Sequence, residues 1–101
     1  MSETADTNGP LAFAASFPPE ERFAATAAEI AARLAAACGC APEAAEEIRG
    51  AVDRAFRAAL SAAGAGGPGI DLTLRAADSA FNADVASGGA ALCHCSRPRS
   101  A

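Results

Sequence analysis

The chain has no lysine, no tryptophan and no tyrosine, and one methionine and one histidine among its 101 residues. Its eight basic residues are therefore all arginine, set against twelve acids for a net charge of −4. They form no basic patch able to neutralise a phosphate backbone, which excludes nucleic acid as a ligand. No run of about twenty apolar residues is present to span a bilayer as a helix. The opening MSETADTNGP lacks the positive start and apolar centre of a secretory leader. The expectation from these absences is a cytoplasmic protein, off the membrane, with its four cysteines mostly reduced. Lysine-free, alanine- and arginine-rich usage points to a bacterial, GC-rich source. Five phenylalanines are the whole aromatic content, so the core is light and stability modest, or shared with a partner.

What the chain does contain is periodicity. In Glu43 to Ala63, Ile48, Val52, Phe56 and Leu60 recur every four residues, flanked by Ala45, Ala55, Ala59 and Ala63, the pattern of a helix with one buried face. Glu46, Glu47, Asp53, Arg54 and Arg57 occupy the other face, with Asp53 and Arg57 an acid-first i,i+4 pair. An earlier helix is predicted from Pro19 to Cys38, with Phe23, Ala27, Ile30, Leu34 and Ala37 as its seam and Glu29 to Arg33 as a second i,i+4 pair. Gly39 ends it and Pro42 starts the next, so the two helices are close neighbours.

Strands flank the helices. Leu11 to Phe17 alternates large residues with alanine before Pro18 and Pro19 stop it. Ile70, Leu72, Leu74 and Ala76 alternate with polar residues, as do Phe81, Ala83 and Val85, and residues 77 to 79 carry turn formers. This is a β-hairpin with one apolar face. The Gly-rich GAGGPG, residues 64 to 69, follows a helix, precedes a strand and has no lysine after it, which is the wrong context for a phosphate loop. Ser87, Gly88 and Gly89 break the last strand. The expected fold is α+β: two helices on one face of a small, mostly antiparallel three-stranded sheet. Residues 1–10 form a disordered lead-in, 11–92 a single domain and 93–101 a short basic tail.

The order of elements over roughly residues 11 to 89, together with the wording AVDRAFRAAL at 51–60, resembles the first half of the ATP-binding fold of anti-sigma-factor serine kinases, sensor histidine kinases and the gyrase B subunit. It is most similar to the anti-sigma kinases. Val52, Ala55 and Ala59 agree with that family's second-helix motif. Its glutamate, which prepares the attacking group, and its magnesium-holding asparagine align with Arg54 and Ala58. Val85 to Gly89 resembles Val-x-Asp-x-Gly, with Ser87 where the adenine-binding aspartate belongs. The chain also ends before the family's nucleotide lid. Alanine holds no magnesium and arginine is no base at neutral pH. The resemblance thus implies a degenerate, shortened relative without kinase activity or cofactor: a regulatory, protein-binding module that forms a homodimer and meets a sigma factor or an anti-sigma antagonist. Arg54 and Arg57 are the residues it offers to an acidic partner. An unpaired sheet edge supports the dimer.

The cysteines carry an alternative. Cys38-Gly-Cys40 and Cys93-His-Cys95 are two thiol pairs able to make a zinc or copper site, or a redox protein, with His94 as a substitute ligand. The spacing of one residue is tighter than that of structural zinc sites. The competing reading makes Cys38 and Cys40 small core residues and Cys93 and Cys95 parts of the tail.

Overall fold

Alternation of period two and period 3.6 builds two layers, seen in a computed structural model that describes residues 11–63, 67–77 and 79–99. The predicted lead-in, part of the Gly-rich connector and Asp78 of the hairpin turn lie outside the described residues. Strand β1 (Leu11–Phe17) leads through a 3-10 turn (Glu21–Phe23) into helix α1 (Ala24–Ala37). Helix α2 (Pro42–Ala63) and strands β2 (Ile70–Ala76), β3 (Ala80–Ser87) and β4 (Ala90–Pro98) follow. The sheet has the order β1-β2-β3-β4, and each neighbouring pair is antiparallel.

The fold is α+β as expected, but the sheet has four strands, not three. The fourth comes from residues read as a strand break and a tail. Gly88 and Gly89 have φ of 60° and 83°, the left-handed pair of a two-residue hairpin turn, so they reverse the chain instead of ending it. Cys93 and Cys95 then face inward, opposite Val85 and Ala83, while His94 faces out opposite Asp84. The boundary placed between residues 92 and 93 falls inside this strand, and residues 93–98 belong to the sheet.

α2 lies across β3 and β4, with α1 beside it reaching β2. Ile48, Val52 and Phe56 are each at most 1% exposed, beneath Ile70, Leu72, Leu74, Phe81 and Val85 of the sheet's inner face. Each such large side chain stabilises the fold by about 2–3 kcal/mol, and alanine by much less. No polar or charged side chain is buried among the described residues. The α1 seam differs from the expected one. Its buried face is Ala24, Ala27, Ala28, Ala31, Ala32 and Ala35, while Ile30 and Leu34 pack half-buried at the margin of the core and Ala37 is exposed. α1 packs chiefly against α2, and small residues at a helix pair let the backbones approach, which displaces the larger ones to the sides. The helical run also begins later than Pro19. Glu20 is extended, with φ −131° and ψ 139°, and the chain winds through the 3-10 turn first, setting Phe23 against Phe17 at a ring separation of 6.2 Å.

The turn between the helices follows its sequence. Gly39 has φ 102°, its N–H donates to the Ala36 carbonyl at 3.1 Å, and the Cys40 N–H donates to the Ala35 carbonyl at 3.0 Å. That double bond is the Schellman closure of a helix end.

Candidate functional site

Three places stand in line for function: the α2 surface that carries Arg54 and Arg57, the cysteine pairs, and the free edges of the sheet. On α2, Arg57 is engaged within the chain. Its Nε lies 3.1 Å from Asp53, as the i,i+4 spacing predicts, and its Nη1 lies 2.8 Å from Glu21 in the turn before α1. The bond to Asp53, then that to Glu21, raises the pKa of this guanidinium further. Arg54 is exposed and lies back along the helix, its guanidinium 3.1 Å from where a side chain on Gly50 would begin. Gly50, unfavourable inside a helix, thereby makes room for Arg54. Ala58 is exposed on the same helix. Ser87 ends β3 and its hydroxyl donates to the Gly69 carbonyl at 3.3 Å. Arg54, Ala58 and Ser87 thus present a cation, a methyl group and a hydroxyl bonded to backbone.

The cysteines are not brought together as one ligand set. Cys40 is the residue just past the helix-closing glycine, where an apolar side chain normally packs back on the last turn, and it is 7% exposed. Cys38 beside it is half-buried. Cys93 and Cys95 lie on the inner face of β4, Cys95 buried and Cys93 half-buried. Arg99 meets the Cys38 carbonyl four residues beyond Cys95, about 13 Å along an extended chain. Among the described residues no group of three or more His, Cys, Asp and Glu side chains is placed to hold a metal ion. His94 is no substitute ligand for the β4 thiols, because strand alternation turns it to the opposite face, where its Nδ1 lies 2.5 Å from Asp84. Burial pushes the Cys40 thiol above its ordinary pKa, with Cys38 adding and Arg99 opposing. Burial does the same to Cys93, with Cys95 and Asp84 adding and Arg54 opposing. Both environments disfavour the thiolate that binds metal or attacks.

Sequence reasoning missed the work of the last residues. Arg97 reaches from β4 to Glu47 of α2 at 2.6 Å, and Arg99 bonds backbone carbonyls on two other elements. The pair Gly88-Gly89 following an alternating strand was the available signal, since it is a strong hairpin dipeptide. No helix among the described residues is long and apolar enough to cross a membrane.

What remains is the sheet itself. Its inner face is covered and its outer face carries small and polar residues. Among the described residues two strands, β1 and β4, have a neighbour on one side only. Comparison of the chain with known protein families, curated proteins and solved structures finds no match in any of the three.

Proposed function

We propose that this protein is a non-catalytic bacterial regulatory module, a degenerate relative of the anti-sigma-factor kinases that works in the cytoplasm by binding another protein, with a homodimer as its form. The observation that carries the reading is the edge of the sheet at β1, which among the described residues pairs with β2 alone, leaving its outward backbone groups without a partner strand. An open edge of this kind is a template for a further strand. The side chains at the aligned ATP positions support the non-catalytic part, since Arg54, Ala58 and Ser87 supply neither a base nor a magnesium ligand. The partner class is a sigma factor or an anti-sigma antagonist.

Titration calorimetry with magnesium-ATP tests the first half. No heat of binding is expected up to millimolar nucleotide, and a micromolar, magnesium-dependent affinity overturns the non-catalytic reading. Surface plasmon resonance against purified sigma factors and anti-sigma antagonists of the source organism tests the second. Saturable binding by one of them is expected, and its absence across the set overturns the partner class.

A further inference from the structure

The two edges of the sheet are built differently. β4 is blunted: its ladder with β3 shifts register between Val85 and Ala86, leaving Leu92 as an extra residue, and it carries His94, Arg97 and Pro98. Bulges, charges and proline are the usual means of keeping an edge from pairing. β1 has none of them. Its seven residues, LAFAASF, contain no charge, proline or glycine, and they pair with β2 without a break in register.

Resting on the reading of the chain as a protein-binding module, we propose that the occupant of this edge is β1 of a second copy, antiparallel about a two-fold axis at Ala14, joining two four-stranded sheets into one of eight.

Parity selects the register. Side chains alternate faces along a strand, so odd positions of one copy must oppose odd positions of the other if both helical layers are to lie on one side. A two-fold at Ala14 does this and engages all seven positions of Leu11–Phe17. It opposes Phe13 to Ala15 of the second copy, large to small, on the inner face. Centres at Phe13 or Ala15 also keep the faces aligned, but they leave part of the strand unpaired and set Phe13 against itself or against Phe17.

Charge on the outer face agrees with that register alone. Ser16 is the partner of Asp71 and Ala12 the partner of Arg75 in the β1–β2 ladder. With the axis at Ala14, Ser16 opposes Ala12 of the second copy. One transverse row then reads Asp71, Ser16, Ala12 and Arg75, the last two from the second copy, and the symmetry repeats the row on the other side of the axis. Opposite charges face each other across two small exposed residues, spaced over about 14 Å of sheet, part of which an extended arginine spans. The seven positions of β1 add no charge of their own, so the net −4 of each copy is not concentrated at the contact. A strand-edge interface is at the small end for protein pairs, where contacts are weak and transient, so an affinity of roughly micromolar order is expected.

The test uses the full chain under reducing conditions, by sedimentation equilibrium from about 1 to 500 µM, a range set by that affinity. Ala14 is exposed, so Ala14→Lys and Ala14→Glu leave the monomer folded, which circular dichroism checks. Each variant alone opposes like charges at the axis and weakens the dimer roughly fivefold or more, and an equimolar mixture of the two restores it. Rescue on mixing requires residue 14 to meet residue 14. A wild type that stays monomeric at the highest concentration overturns the proposal, as do single variants that dimerise like the wild type. A monomer that still binds a sigma factor or antagonist on the resonance surface removes the two-fold and leaves the binding reading intact. A dimer rescued by mixing that binds none of them does the reverse.

Discussion

The Arg99 guanidinium donates from Nε to the carbonyl oxygen of Cys38 at 2.7 Å, across 61 residues of chain. Its Nη1 also donates to the Ala77 carbonyl, and its backbone N–H donates to Ser79 at 3.1 Å. One side chain thus ties the end of β4 to the carbonyl of the residue that caps α1 and to the β2–β3 turn, with its positive charge where the helix dipole is negative.

Arg99→Ala is expected to cost about 1–2 kcal/mol, read as a lower urea midpoint at unchanged slope. Arg99→Lys recovers only part, because an ammonium lacks the fork that serves two carbonyls at once. An unchanged midpoint in the alanine variant would mean that Arg99 is no clamp.

Glu29 sets an acid limb on stability. It bonds Arg49 of α2 and Arg33 of its own helix, and the Arg49 bond first, then that to Arg33, holds its carboxyl below the ordinary 4.5. A carboxyl lowered by folding stabilises the protein above its unfolded value, and that stabilisation is lost as pH falls through the folded one. Melting temperature is expected to drop between roughly pH 5 and pH 3 in the wild type and to drop less in Glu29→Gln. Parallel pH profiles for the two proteins would show that the helix pair does not depend on this bridge.

How much of this was legible in the sequence depended on whether one face of an element was strongly apolar. α2 was readable because Ile48, Val52 and Phe56 mark one stripe, and β2 because Ile70, Leu72 and Leu74 alternate with polar residues. β4 was not, since its inner row is Cys93, Cys95 and Arg97, too weakly apolar to register as a strand face. In α1 the periodicity of Ile30 and Leu34 pointed to the wrong face, because alanine carries almost no signal in a hydrophobicity pattern yet is what a close helix pair requires. The candidate residues fared in the same way. Arg57 was visible as an i,i+4 partner of Asp53, but its second partner, Glu21, is brought in only by the fold. The separation of His94 from its neighbouring thiols depends on a strand whose own residues carry no apolar alternation and whose one sign is the Gly88-Gly89 turn before it.

The alanine face of α1 is open to a direct test. Ala31 is fully buried, so Ala31→Leu forces three extra carbons between the helices and costs about 1–3 kcal/mol. Ala36→Leu, on the exposed side, is neutral within about 0.5 kcal/mol. Phe56→Ala removes a side chain that is 1% exposed and costs about 3–5 kcal/mol, a large share of the roughly 5–15 kcal/mol typical of a domain. Ile30→Ala, half-buried, costs less than Phe56→Ala. Equal denaturation midpoints for Ala31→Leu and the wild type would return the seam to Ile30 and Leu34.

The thiols provide the last prediction, because their burial separates them by reactivity. Iodoacetamide at pH 7.5 is expected to modify half-buried Cys38 first and Cys93 more slowly, since burial holds the Cys93 thiol protonated. Buried Cys40 and Cys95 react only once urea unfolds the chain. Folding raises the Cys40 and Cys93 values above the ordinary 9.0. Their contribution to stability is therefore complete below that pH and is lost as pH rises through the folded values. Melting temperature should fall above about pH 9 in the wild type and fall less in Cys40→Ala. Zinc added before the alkylating agent is expected to leave the order of modification unchanged, as peptide mapping by mass spectrometry would show. One zinc per chain, with all four thiols protected together, would overturn the finding that the described residues gather no set of ligands able to hold a metal ion.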